Sequence, residues 1–249
     1  KKVVCVTDTI IDIDLLRNIA KLANMKPIVA RTRADPRFKK AQNTAVPRKI
    51  GSQLYLFDCI NCDKCIPVCP NDANFSFEVE PFETQYKNIE VEGKSWRETG
   101  GGVLAVRESH QIATFADACN DCGNCDVFCP EDGGPYIEKP RFFSSVDSWR
   151  YWKKLNGFVL CRENEMTVLY GRVEEMEYRL ALDHEQHRAR FSNDAATINV
   201  DWESGVVLNA AADASATIVV DMAHYLTMAT LLRGMMNSRH VNFVNVEFL

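Results

Sequence analysis

The chain has 249 residues, of which 46 % are hydrophobic, so it can bury one sizeable core or two to three small ones. Its 34 acidic residues outnumber its 29 basic ones, and the net charge of −5 argues against binding to nucleic acid or to an anionic membrane surface. The apolar runs are much shorter than the roughly 20 residues of a membrane-spanning helix, so we expect no membrane insertion. Because no signal-peptide pattern opens the chain, we expect a cytoplasmic location.

The first 45 residues are predicted to hold a short βαβ-like segment and the start of a basic connector. "VVCV" is typical of a strand, "DIDLLRNIAKLAN" has helical spacing with Asp12 as a candidate N-cap, and "KPIVA" again favours a strand. Residues 31–49 are rich in Arg and Lys, and we expect an extended segment that is either solvated or packed against an acidic surface. The chain starts at Lys1, and we expect it to be a piece of a longer polypeptide.

Residues 46–145 are predicted to form one domain around two cysteine-rich runs. Between the runs, "NIEVEGKSWRETGGGVLAVRESHQIATF" indicates β-hairpins with turns at Gly93 and at Gly100–Gly102. No helical pattern follows the three glycines, so we interpret them as a flexible hairpin tip and not as a phosphate-binding loop.

Residues 146–249 are predicted to form a small α+β domain for docking or partner binding. "GFVLCREN" and "TVLYGRV" favour strands, and "TINVDWESGVVLNA" favours a hairpin that turns at Ser204–Gly205. "DMAHYLTMATLLRGMMN" has the apolar spacing of a helix that buries one face, with Asp221 as a candidate N-cap. His184 and His187 could share a helical face.

Eight of the ten cysteines occur in two copies of one spacing, which is an internal repeat. The first copy is Cys59-x-x-Cys62-x-x-Cys65-x-x-x-Cys69-Pro70 in "CINCDKCIPVCP", and the second is Cys119-x-x-Cys122-x-x-Cys125-x-x-x-Cys129-Pro130 in "CNDCGNCDVFCP".

Disulfides, a zinc site and iron–sulfur clusters are the three possible uses of these cysteine runs. Disulfides suit small secreted scaffolds, and here they would leave most of the chain without a crosslink. A structural zinc ion usually takes two separated Cys-x-x-Cys pairs, whereas each run here has three cysteines within seven residues. A thiolate at every third residue can cap three irons of a [4Fe–4S] cubane, so the spacing favours iron–sulfur clusters as the cofactors.

On these two runs, residues from about Gly51 to Pro140 resemble a bacterial-type two-cluster ferredoxin domain. In such domains the fourth cysteine of each run binds the other cluster. The first cluster would then be held by Cys59, Cys62, Cys65 and Cys129, and the second by Cys119, Cys122, Cys125 and Cys69. The expected fold class is therefore α+β: a ferredoxin-like two-cluster domain flanked by the βαβ-like segment and the small C-terminal α+β domain.

The stretches "PRKIGSQLYLFDCINCDKCIPVCPNDANF" and "CNDCGNCDVFCPEDGGPYIEKPRFF" also resemble the iron–sulfur part of large bacterial flavoproteins assigned as selenate reductases. Those proteins carry a region similar to the glutamate synthase small subunit, which binds a flavin and NAD(P)H. The resemblance implies FAD and NAD(P)H in a missing part of the chain or in a partner.

Six acidic residues surround the second cysteine run, with no Lys or Arg between Gln111 and Glu138; they are Asp117, Asp121, Asp126, Glu131, Asp132 and Glu138. Negative charge disfavours reduction, so they predict a lower potential for the second cluster unless the basic connector covers it. The sequence shows no set of catalytic residues, so substrate chemistry is expected elsewhere.

The sequence therefore predicts an electron-transfer module, the iron–sulfur part of an NAD(P)H-dependent flavin oxidoreductase. Single electrons would pass between a flavin-containing region or subunit and a partner oxidoreductase subunit or terminal acceptor. The alternative is a structural or sensory iron–sulfur binding module without turnover.

Overall fold

The computed structural model describes residues 3–6, 9–36, 39, 48–213, 217–236, 239, 241–246 and 248, with side chains from residue 14 onward. The chain divides into two compact units that interleave along the sequence. The first consists of Lys1–Glu78, His110–Pro140 and Met235–Leu249, and the second of Val79–Ser109 and Arg141–Gly234. The predicted domains are consecutive, and their boundaries stay a prediction.

In its described residues the first unit contains four strands and three helices. Strands β1 (Val3–Val6) and β2 (Thr9–Asp12) form an antiparallel hairpin that leads into helix α1 (Ile13–Ala34). Strands β3 (Asn74–Glu78) and β6 (His110–Phe115) pair antiparallel, with Asn74 opposite Thr114. The short helices α2 (Asn124–Phe128) and α3 (Pro135–Glu138) follow β6. Because β3 follows the first cysteine run and β6 precedes the second, this strand pair brings the two runs together.

The N-terminal segment differs from the predicted βαβ-like arrangement. The predicted second strand, "KPIVA", lies inside α1, and Thr9–Asp12 forms a strand that was not predicted. A helix of 22 residues makes most of its backbone hydrogen bonds internally, although Pro27 lies within it, and these bonds outweigh the β-propensity of Ile28 and Val29. The basic connector is helical and not extended up to Ala34, while its residues 37–38 and 40–47 lie outside the described part of the chain.

The second unit is built mainly from antiparallel strands. A long hairpin pairs β4 (Phe82–Glu92) with β5 (Ser95–Val106), and β14 (Ile218–Val220) adds to the other side of β4. The remaining elements, in chain order, are β7 (Arg141–Phe142), α4 (Val146–Tyr151), β8 (Gly157–Glu163), β9 (Met166–Val173), β10 (Met176–Asp183), β11 (Arg188–Ser192), β12 (Ala196–Asp201), β13 (Val207–Ala212) and α5 (Met222–Met236). Strands β8 to β13 pair each with the next as an antiparallel meander, and β7 pairs parallel with β8.

Helix α5 has the predicted position, cap and buried face. The backbone N–H of Ala223 donates to Asp221 Oδ1 over 2.9 Å, as the predicted N-cap requires. Tyr225 is 3 % exposed, and its ring packs edge-on against Phe191 of β11. The hairpin that turns after β12 is also confirmed. His184 and His187 lie in the turn between β10 and β11, so the suggestion of a shared helical face was wrong.

The three glycines at residues 100–102 lie inside strand β5, so their interpretation as a hairpin tip was wrong. The turn at Gly93 is confirmed because it connects β4 to β5. Gly101 has a φ of +120°, and a Cβ there would overlap the carbonyl oxygen of Tyr86. The strand pairing shifts register between Tyr86 and Asn88, which is the signature of a β-bulge. The glycines therefore allow β5 to bend while it stays paired.

No helix in the described part of the chain is both long enough and apolar enough to cross a bilayer.

Candidate metal centre

Each of two cavities in the first unit is lined by four cysteines. Cys59, Cys62, Cys65 and Cys129 line the first cavity, and Cys69, Cys119, Cys122 and Cys125 line the second. Each set combines the first three cysteines of one run with the fourth cysteine of the other. These are the two groups that the ferredoxin resemblance implies.

The two cysteine loops have the same backbone conformation at matching positions. In the first loop Asn61 and Asp63 have φ values of 52° and 56°, and in the second Asp121 and Gly123 have φ values of 53° and 77°. These residues stand two and four positions after the first cysteine of each run. Three non-glycine residues thus adopt the sparsely populated left-handed region, which costs free energy and is typical of loops that wrap a ligand. The sequence repeat is therefore also a conformational repeat.

A shared wall of buried side chains lies between the two cavities. Cys65 of the first cavity and Cys125 of the second belong to one buried apolar cluster with Ile112 of β6. Asn74 of β3 lines the second cavity, and its side-chain N–H donates to the Cys65 carbonyl oxygen over 2.8 Å. Its Oδ1 accepts a hydrogen bond of 2.9 Å from the Thr114 hydroxyl. The strand pair β3–β6 therefore fixes both cavities relative to each other.

Burial raises the pKa of several cavity thiols. The pKa of Cys65, which is 7 % exposed, lies well above its ordinary value because desolvation disfavours the thiolate, and the neighbouring thiolates add to this effect. Burial likewise raises the pKa of Cys59, Cys125 and Cys129. Bonding to iron offsets this cost because a metal ligates the thiolate form. Metal loading and folding of this unit should therefore be coupled.

Backbone N–H groups point at one sulfur atom of each cavity, and both sulfurs belong to the first cysteine run. Asn61 N lies 3.4 Å from Cys59 Sγ, and Ala73 N lies 3.3 Å from Cys69 Sγ. Such hydrogen bonds are among the factors that set the reduction potential of an iron–sulfur cluster.

The first cavity also has charged side chains in its wall: Asp63, Glu131 and Lys139. Glu131 is 5 % exposed, and its carboxylate accepts hydrogen bonds from the Ser52 hydroxyl at 2.9 Å and the Ile60 N–H at 3.2 Å. Asp63 Oδ1 lies 2.6 Å from His110 Nε2. Among the described residues, no Asp, Glu, Lys, Arg or His lines the second cavity.

These positions change the expected effect of the acidic residues on the second cluster. Glu131 is one of the six acidic residues around the second run, but it lines the first cavity. Its charge therefore acts mainly on the first cluster. Asp126 forms an ion pair of 2.8 Å with Lys49, which belongs to the basic connector. Asp121 Oδ1, in contrast, lies 3.4 Å from Cys119 Sγ at the second cavity. The lower potential of the second cluster therefore stays a prediction.

The thiols surround each cavity and do not converge on one point. Within the described residues, no three His, Cys, Asp or Glu side chains come close enough to hold a single metal ion. One tetrahedral zinc ion needs four ligands at about 2.0–2.3 Å, whereas the irons of a cubane occupy separate corners. None of the nine cysteines with described side chains forms a disulfide. The donor set and its arrangement fit a multi-iron cluster.

Sequence reasoning missed three polar residues of the centre: Asn74, Glu131 as a group at the first cavity, and Lys139. None of them lies in a cysteine loop, and their roles follow from strand pairing and from the packing of the chain after α3. The sequence contained one indication for Lys139: it is the first basic residue after the acidic stretch around the second cysteine run.

The comparisons with known proteins agree with this geometry. The 4Fe-4S dicluster domain family matches residues 55–132. The chain is also similar to "Putative oxidoreductase YgfK" of Escherichia coli K12 and to the protein of the same name from Escherichia coli O157:H7, each 32 % identical over 83 residues. The match covers 33 % of this chain and 6 % of each relative, so the chain corresponds to a small part of their length. None of the solved structures compared with the chain is a match. Residues 55–132 form a 4Fe-4S dicluster domain.

Proposed function

We propose that this domain relays single electrons through two [4Fe–4S] clusters. The proposed ligands of the first cluster are Cys59, Cys62, Cys65 and Cys129, and those of the second are Cys69, Cys119, Cys122 and Cys125. The observation that carries the proposal is the grouping of eight thiols around two cavities in these crossed sets.

The shared buried cluster beside the two cavities supports a relay. When bound, the clusters supply reversible one-electron reduction. The chain's own residues hold the two sites close together, since Cys65 and Cys125 share one buried cluster with Ile112. Asn74 links the two sites, since it lines the second cavity and donates to the carbonyl of Cys65 at the first. Burial of Cys65, Cys125 and Cys129 limits access of water to the ligands.

The proposed electron donor is a flavin that accepts hydride from NAD(P)H, in another part of a longer polypeptide or in another subunit. Support comes from the resemblance to the flavoproteins assigned as selenate reductases, and from relatives that carry the name oxidoreductase and are much longer than this chain. The proposed acceptor is a partner oxidoreductase subunit or a terminal acceptor. We also propose a cytoplasmic location, since cysteines that form no disulfides are typical of reducing compartments.

The test is anaerobic EPR of the full-length polypeptide before and after addition of NADH or NADPH, with dithionite as a control reductant. Reduction of both clusters by the nicotinamide is the expected result. If only dithionite reduces them, the electrons come from a different donor, and the flavin part of the proposal is wrong. If neither reductant acts, the structural or sensory alternative replaces the relay.

A further inference from the structure

Lys139 is a buried lysine at the wall of the first cavity. Its relative exposure is 2 %, although lysine is among the residues least often buried. It lies after the residues that match the dicluster family, 55–132, so the match to that family assigns it no role. Within the first unit it is placed by the turn that follows α3, where its backbone N–H donates to the Pro135 carbonyl over 3.0 Å.

The ammonium group of Lys139 donates to three backbone carbonyls of one short segment. The acceptors are Tyr55 O at 2.7 Å, Leu56 O at 3.3 Å and Asp58 O at 2.7 Å. An ammonium has three donors, so all three are used. The segment that receives them ends immediately before Cys59, the first thiol of the first cavity. Lys139 therefore determines where the chain enters the first cysteine loop.

The surroundings of Lys139 contain negative groups that compensate its buried charge. Desolvation lowers its pKa below the ordinary value, and the thiolates of Cys59 and Cys65 and the carboxylate of Glu131 act in the opposite direction. Removing a charge from water costs several kcal/mol unless opposite charge and hydrogen bonds replace the hydration. A neutral side chain could fill the same space without this cost, so the positive charge itself requires an explanation.

We propose that Lys139 positions the Tyr55–Asp58 segment and supplies a buried positive charge that makes the first cluster easier to reduce. This inference rests on the proposed function. Adding an electron makes a cluster more negative, and a fixed positive charge in a poorly solvated wall stabilises that state. The hydrogen bonds of the Lys139 ammonium go to backbone carbonyls in the wall of the first cavity. Lys139 therefore acts as a positioning and electrostatic residue and not as a ligand.

Glu131 provides a reciprocal test, since it carries the opposite charge in the wall of the same cavity. Its replacement by Gln keeps the size of the side chain and an oxygen acceptor for Ser52 or Ile60. The same reasoning therefore predicts that Lys139→Met lowers the midpoint potential of the first cluster and that Glu131→Gln raises it.

The experiment is an anaerobic redox titration of the full-length protein, monitored by EPR, for the wild type and four variants. The variants are Lys139→Met, which keeps the length of the stem, Lys139→Gln, which keeps a donor without the charge, Glu131→Gln, and Lys64→Met as the control. Lys64 lies between Cys62 and Cys65 but does not line either cavity, and it is half-buried. The second cluster of each variant is an internal reference.

In both Lys139 variants we expect the midpoint potential of the first cluster to become more negative, by more than it does in Lys64→Met. The midpoint potential of the second cluster should stay nearly unchanged. If Lys139→Met instead loses about half of its iron while the second cluster's signal persists, the positioning role is supported. An unchanged first midpoint, or equal effects on both clusters, overturns the inference. A wild type without two reducible clusters would refute the proposed function itself, so the two failures are distinguishable.

Discussion

Replacing the fourth cysteine of either run should damage the cluster that is bound mainly by the other run. Cys129 belongs to the second run in sequence, but its side chain lines the first cavity together with Cys59, Cys62 and Cys65. Cys69 belongs to the first run and lines the second cavity. We therefore predict that Cys129→Ala affects the first cluster and that Cys69→Ala affects the second.

The size of the effect follows from the number of thiols at each cavity. Each substitution leaves three thiols at one cavity and all four at the other. Because [4Fe–4S] clusters are held by four thiolates, one cluster should be lost or converted while the other is retained. The spin concentration of the fully reduced protein should fall from about two to about one per chain, and coupling between the clusters should disappear.

The assay is iron and sulfide analysis with EPR on anaerobically purified variants. To identify which cluster remains, each variant is compared with Cys59→Ala and Cys119→Ala. Cys59 and Cys119 each line the cavity that holds the first three cysteines of their own run, so these variants mark the loss of the first and of the second cluster. Cys161→Ala is the matched control, because Cys161 lies in strand β8 and lines neither cavity. The control should keep the full cluster content.

The reasoning is refuted if Cys129→Ala leaves the same spectrum as Cys119→Ala, because each run would then bind its own cluster. Loss of all iron in every variant except Cys161→Ala would show that the clusters assemble only together.

Three further substitutions test the local structure. Asn61 has a φ of 52°, which a β-branched residue adopts at a cost, so Asn61→Val should destabilise the first loop by about 1–2 kcal/mol. Asn61→Gly should not destabilise it, and cluster retention during urea titration measures the difference. Gly101→Ala should destabilise the second unit by about 1–3 kcal/mol through overlap with the Tyr86 carbonyl, without loss of iron, and a normal melting temperature would contradict the bulge. Asp221→Ala should remove the cap of α5 at a cost of about 1 kcal/mol, seen by chemical denaturation, whereas Asp221→Asn should retain most of it.

The iron–sulfur domain could be predicted from the sequence because its chemistry is encoded locally. Three thiols that must reach one cubane have to recur at a short, fixed spacing, and the two runs repeat that spacing. Helix α5 was equally predictable, since its buried stripe and the cap at Asp221 both lie within one short segment. The coarse α+β class followed from such local patterns.

The remaining features depend on contacts between distant parts of the chain. Lys139 and its carbonyl partners are more than 80 residues apart in sequence, so no local pattern connects them. The three glycines of β5 gave the wrong prediction because the same residues suit a turn and a bulge. Strands β10 and β11 were not predicted, and the histidines between them were therefore wrongly considered as part of a helix. The N-terminal segment failed because local β-propensity was outweighed by a long helix.

The most direct test of the central claim is an anaerobic reductive titration of the chain itself, with EPR spectra and iron analysis at each step. The account predicts about eight irons per chain, from two four-iron clusters, and two one-electron reductions. It further predicts spin coupling in the fully reduced state, because Cys65 and Cys125 place the cavities on either side of one buried wall. A protein that binds zinc in place of iron, or that carries iron which no reductant can reduce, would contradict the account.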